Sequence, residues 1–410
     1  MDKDTALKKS KRFCMLPWTH LHSWPDGRVL PCCMAPMNEI LGNLKDQSFE
    51  EIWNSEKLKK MRVAMIEDKP TKECTRCYSM EASGLNTTRT WANEAFENHF
   101  DKVGTTLKDG TVEKINLPYI DFRFSNLCNF KCRTCGPDLS SSWYDDNVKL
   151  YGPLPHKKII RPYKDEETFW KKVEPYMDGL EEIYFAGGEP LIMEEHYRIL
   201  KKLDERKMYH VRLIYNTNFT RTKYKDIDVL ELWNKFDSVS VGASLDAGGK
   251  RGELMRKGTI WKDVVANRKR MLEVCPQVDF YISSTVGLIN ALHIPDFHRN
   301  WVDQGLLKHQ DFNFNLLQFP YPQRIDLLPD YYKEKVKEKY ERHLEWLRPL
   351  DGLTRATKGF ESGLDYMMRR DNSKDFKQFK DTMKRLDVIR DENILEVFPE
   401  LQEIYETQEA

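Results

Sequence analysis

The chain has no run of apolar residues long enough to span a bilayer. Its start, "MDKDTALKKSKRF", lacks the apolar core of a secretory signal. A cytoplasmic, soluble protein is the expectation. There is also no excess charge of either sign: lysine plus arginine and aspartate plus glutamate number 65 each. That removes the global basic field of a nucleic-acid binder, and no basic, aromatic-interleaved stripe replaces it. Repeats and low-complexity segments are lacking as well. What remains is 410 residues, 40% hydrophobic and 12% aromatic, enough for two or three domains with sizeable cores.

Cysteine is scarce after the first third of the chain and crowded within it. Cys14, Cys32, Cys33, Cys74, Cys77, Cys128, Cys132 and Cys135 precede residue 137, and Cys275 stands alone. In a reducing compartment such crowding points to metal rather than disulfides. Cys275 closes a helical pattern and reads as a buried apolar residue.

Three regions follow from the texture. Residues 1–110 hold five cysteines among short elements, including a helical pattern at Ile52, Trp53, Leu58, Met61 and Met65. Ser48 and Glu51 have capping-box spacing ahead of it. Residues 111–320 alternate strand-like runs at 119–124, 182–187, 211–217, 238–245, 278–286 and 312–319 with amphipathic stretches. Repeated βα units favour a parallel sheet. Six are too few for a closed eight-stranded barrel, so an open partial barrel and a doubly wound sheet both fit. Residues 321–410 are charged and helical, a tail that packs on the core or covers a barrel mouth.

The chemistry gathers at strand ends. "CNFKCRTC" spaces Cys128, Cys132 and Cys135 as C-x3-C-x2-C after the first strand. Three thiolates can hold three corners of an iron–sulfur cube and leave one iron open. A zinc knuckle completed by a distant residue, or plain thiols, are the alternatives. The second strand runs into Gly187, Gly188, Glu189 and Pro190. Glycines there admit a small polar ligand to backbone, and Glu189 can accept from an ammonium group. Asn216 and Asn218 share a face at the third strand's end, as do Ser244 and Asp246 at the fourth. Arg256 lies beyond and can clamp a carboxylate. Asn313, Asn315 and Gln318, near the last strand's end, are possible substrate contacts.

This series resembles the radical SAM superfamily over residues 120–320. The resemblance implies an α/β fold, a partial (β/α)6 TIM-like barrel. It implies a 4Fe–4S cluster on Cys128, Cys132 and Cys135, its open iron chelated by S-adenosylmethionine. Gly187, Gly188 and Glu189 would hold the methionine amino group. Asn216, Ser244 and Asp246 would lie near the ribose or methionine, and Arg256 near the carboxylate. One departure is Thr134, where an aromatic residue usually precedes the third cysteine. By the same resemblance, a reduced cluster cleaves the sulfonium to a 5′-deoxyadenosyl radical that abstracts hydrogen.

Upstream, Cys14, Cys32, Cys74 and Cys77 give four thiolates, enough for a closed site, and on thiolate count alone zinc is the bland occupant. "PDG", "LGN", "EIW" and "ECTRC" in this region resemble the auxiliary-cluster module of SPASM and twitch radical SAM proteins. With one C-x2-C, the shorter twitch form and one auxiliary 4Fe–4S cluster are implied. Here the module precedes the barrel, whereas in familiar proteins it follows. Cys33 is a rival ligand or a spare thiol. The resemblance implies a peptide or protein substrate and an electron donor such as flavodoxin or ferredoxin. A small-molecule dehydrogenase and a non-catalytic zinc or iron–sulfur scaffold are the alternatives.

Overall fold

A computed structural model describes residues 1–82, 86–351 and 354–407. The fold is α/β and divides into two compact units interleaved along the chain. One comprises residues 1–126, 159–187 and 201–213; the other comprises 127–158, 188–200 and 214–410.

The first unit is built on a hairpin. Strands His20–Ser23 and Arg28–Leu30 pair antiparallel, with His22 opposite Leu30. Gly27 closes the turn at φ +91°, a left-handed conformation that glycine adopts without a Cβ penalty. Gly42–Asn43 adds a third antiparallel strand. On its other side His20–Ser23 pairs parallel with Tyr119–Phe122, which pairs parallel with Glu182–Phe185. Alternation decides the faces. Phe122 stacks on Phe49, and Phe124 packs edge-on against Phe169, while Asp121 points to the opposite side of the strand. The helices Phe49–Trp53 and Glu56–Ile66 form as their spacing predicts. Ser48 and Glu51 make the reciprocal capping box, and Ile52, Trp53, Leu58, Met61 and Met65 are all buried.

The second unit carries strands Val239–Ala243, Asp279–Val286 and Phe312–Leu316, successive neighbours paired parallel. Arg212–Thr217, part of this unit from residue 214, precedes them in the sheet order. Helices Glu194–Glu205, Trp261–Val274 and Ile294–Asp303 lie in the connections, as the amphipathic stretches predict. All six predicted strands are thus present, each within a few residues of its expected bounds. Among the described residues of the C-terminal region the regular structure is helical, with Asp330–Asp351, Arg355–Met368 and Phe376–Arg390 the long members. Gly359 and Gly363 let the second of these lie against Phe314. A Cβ on either would stand 2.6 or 2.5 Å from that side chain. The tail therefore packs on the sheet. No helix among the described residues is long and apolar enough to cross a membrane.

Candidate cluster and cofactor sites

The loop after the first predicted strand brings Cys128, Cys132 and Cys135 together in the second unit. None is in a disulfide. Burial pushes all three thiols up in pKa, Cys135 to about 12, and each also feels a neighbouring cysteine or Arg256. Three crowded thiols in such a place cannot all ionise unaided. Iron bound there would supply the missing positive charge, so the donor set fits a cluster.

The loop is braced by side chains that donate to its main-chain carbonyls. Ser142 donates to the Cys128 carbonyl at 2.7 Å, and Trp143 Nε1 donates to the Cys132 carbonyl at 2.6 Å. Cys132 also pairs antiparallel with Arg256 in a two-residue bridge. That bridge sets the Arg256 guanidinium 3.7 Å from Cys132 Sγ.

Arg256 is held by Asp246, with Nε 2.8 Å from one carboxylate oxygen and a 3.0 Å hydrogen bond to the other. Burial works against the guanidinium charge, but the Asp246 carboxylate and the nearby thiols outweigh it and hold its pKa up. Asp246 also accepts from the Thr285 N–H at 2.8 Å. Its carboxylate is committed to aiming Arg256. Ser244 is half-buried, its N–H donating to the Thr217 carbonyl at 2.7 Å. Asn216 faces the bare Cα of Gly242, where a Cβ would stand 2.7 Å from its Oδ1.

Glu189 is buried and accepts three hydrogen bonds: from Leu191 N at 3.0 Å, Thr217 Oγ1 at 2.6 Å and Asn218 N at 2.7 Å. Burial nonetheless pushes its pKa up to about 7, ahead of those donors and of Arg256, which pull it down. One acceptor site on the carboxylate is left for an ammonium group. Asn218 Nδ2 donates to Asn129 Oδ1 at 2.9 Å, which ties this strand end to the cysteine loop. Gly187 sits at φ +120°, where an L side chain is strained. A Cβ there would press Arg123 Cβ at 3.1 Å and the Ser125 carbonyl at 3.3 Å. Asn313 and Asn315 are engaged with each other and with Ser283.

In the first unit Cys14, Cys32, Cys74 and Cys77 form a second group. Burial raises Cys14, Cys32 and Cys74; beyond it, Cys14 feels the charges of Cys74 and Cys77, and Cys32 those of Cys33, Cys14 and Cys74. Cys74 and Cys77 enter from the turn Lys72–Cys74 and the helix Thr75–Ala82, three residues apart on one face. Four thiols suit a closed metal or cluster site. Cys33 is exposed, and its charge is the largest acting on Cys32. The Asp121 carboxylate acts on Cys33, and Arg123 and Arg76 pull the other way.

Three features escaped sequence reasoning. Arg89 donates to the Phe13 carbonyl at 2.7 Å, and Asn93 accepts from Met15 N at 3.0 Å, so one helix holds both neighbours of Cys14. His22 Nδ1 meets Asp121 Oδ2 at 2.7 Å inside the first unit. His22 Nε2 and Asp121 Oδ1 find no hydrogen-bond partner among the described residues. The H-x-H spacing of His20 and His22 on a strand was the available signal. Arg133, between two of the loop cysteines, is the third.

Residues 122–290 match the Radical SAM superfamily, and residues 14–78 match SPASM, an iron–sulfur cluster-binding domain. The SPASM match precedes the radical SAM match along the chain. The radical SAM match implies a 4Fe–4S cluster with S-adenosylmethionine, and the SPASM match an auxiliary iron–sulfur cluster. No curated protein matches. Similar solved structures include native anSMEcpe with bound AdoMet and Cp18Cys peptide, at 18% identity and TM-score 0.37. Native anSMEcpe with bound AdoMet alone gives 20% and 0.36. The first alignment covers 57% of this chain and 61% of the other, so this chain spans about three fifths of that protein's length.

Proposed function

We propose that this protein is a radical SAM enzyme that modifies a peptide or protein substrate with the help of one auxiliary 4Fe–4S cluster. The reading rests on one observation. An open three-thiol loop shares its unit with Glu189 and an aimed Arg256, while a separate four-thiol set leaves no donor missing. Cys128, Cys132 and Cys135 hold the catalytic cluster; Cys14, Cys32, Cys74 and Cys77 hold the auxiliary one.

When bound, the cluster and S-adenosylmethionine supply reductive C–S cleavage and a carbon-centred radical for hydrogen abstraction. The protein's part is to hold and orient. Glu189, with the backbone of Gly188, takes the methionine amino group. Arg256, fixed by Asp246, takes the carboxylate as a charge-assisted pair. Asn216 and Ser244 lie near the ribose or methionine. The SPASM domain favours peptide over small-molecule chemistry, and flavodoxin or ferredoxin is the reductant class.

The test is anaerobic incubation of reconstituted protein with dithionite and S-adenosylmethionine. Release of 5′-deoxyadenosine, abolished by Cys128→Ala, is expected. No release by wild type carrying its clusters, with or without candidate peptides, refutes the reading.

A further inference from the structure

Arg133 lies between Cys132 and Cys135, and its side chain has no solvent exposure. Burying a guanidinium is costly unless it is paired. Its partners come from the far end of the chain. It donates to Asp387, and to Glu392 Oε2 at 2.7 Å, with Met383 Sδ at 3.5 Å. Asp387 and Met383 lie on the helix Phe376–Arg390, and Glu392 follows it.

Two further ties run from the same segment. Arg390 donates to Asp146 Oδ2 at 2.8 Å, and its guanidinium lies 4.6 Å over the ring of Trp143. That is the tryptophan whose Nε1 donates to the Cys132 carbonyl. Lys257, next to Arg256, donates to the Arg390 carbonyl at 2.7 Å and pairs with Glu392 at 3.1 Å. A packing role alone needs no buried charge: apolar residues of similar volume would stabilise the helix as well. Instead two carboxylates, each 14% exposed, are spent on an arginine inside the cysteine motif.

We infer that the C-terminal segment 383–392 is a positioning element of the catalytic cluster. Asp387 and Glu392, acting through Arg133, fix the loop that carries Cys132 and Cys135 and set the charge beside it. The inference rests on the ligand assignment above. It gives the tail a function in redox tuning besides its packing on the sheet. The three side chains are positioning residues; none touches the reacting atoms.

The test is the midpoint potential of the S-adenosylmethionine-responsive EPR signal in reconstituted full-length protein. Arg133→Gln, Glu392→Gln and Asp387→Asn are compared with wild type. Loss of the arginine charge lowers the potential and loss of either carboxylate raises it. Chelator-driven iron loss from this cluster quickens in all three. Glu392→Gln, at a partly exposed site, is the variant that keeps the test alive if Arg133→Gln does not fold. Potentials that stay at the wild-type value, or that move in one direction for arginine and carboxylate variants alike, overturn the inference. A wild type without any S-adenosylmethionine-responsive cluster overturns instead the ligand assignment on which it rests.

Discussion

Asp246→Asn is the sharpest perturbation of the cofactor side. The Asp246 side chain has no solvent exposure and that of Arg256 has 12%. In the variant the amide oxygen can keep the Thr285 N–H and one Arg256 N–H. The amide nitrogen, however, replaces the oxygen that stood 2.8 Å from Arg256 Nε, so donor faces donor. The guanidinium is left buried without its counter-charge. Removing one partner of a buried pair costs about 3–5 kcal/mol. Replacing both, as in Asp246→Leu/Arg256→Met, removes the stranded charge and leaves only the Thr285 N–H unpaired, a cost of about 1–3 kcal/mol. Urea unfolding of cluster-free protein under reducing, anaerobic conditions measures both. The single variant should be the less stable of the two, and neither should bind S-adenosylmethionine once reconstituted. A single variant within about 1 kcal/mol of wild type, or a double variant no better than the single, would refute the reasoning.

Other perturbations test separate parts. Burial raises the Glu189 pKa to about 7 from the ordinary 4.5 of a glutamate. Its contribution to stability is therefore full below pH 4.5 and lost as pH rises through 7. The wild-type minus Glu189→Gln difference in urea midpoint should fall between pH 5 and pH 8; a rise contradicts the assignment. Gly187→Ala should destabilise by about 1–2 kcal/mol, because a Cβ at φ +120° is strained and meets Arg123. Chemical denaturation checks this, and a neutral result argues against the close approach. Cys33→Ser should leave the iron content of anaerobic protein unchanged, whereas Cys32→Ser should lower it. Equal losses would put Cys33 among the ligands.

The strands and the cysteine loop were legible because their signals are local. Period-two alternation needs only neighbours in sequence, and the C-x3-C-x2-C loop carries all its donors within eight residues. The capping box of Ser48 and Glu51 is local in the same way. Asp246 shows where locality fails. Alternation put it on one face with Ser244, but the strand ends at Ala243, and Leu245 N turns back to the Ala243 carbonyl at 2.9 Å. That turn sends the carboxylate inward to Arg256. Arg133 shows the larger limit. Its carboxylates lie 254 and 259 residues away, so no window of sequence joins them. The pairing exists only because the C-terminal helix returns to the loop.

The central claim is two iron–sulfur clusters, one open and one closed. Iron and sulfide quantitation with Mössbauer spectra on anaerobically reconstituted protein tests it most directly. Wild type should hold about eight irons, and Cys14→Ala/Cys32→Ala about four. The four retained by that variant should be the ones whose spectrum changes when S-adenosylmethionine is added. Zinc at the N-terminal site, or a single cluster unaffected by S-adenosylmethionine, would contradict the account.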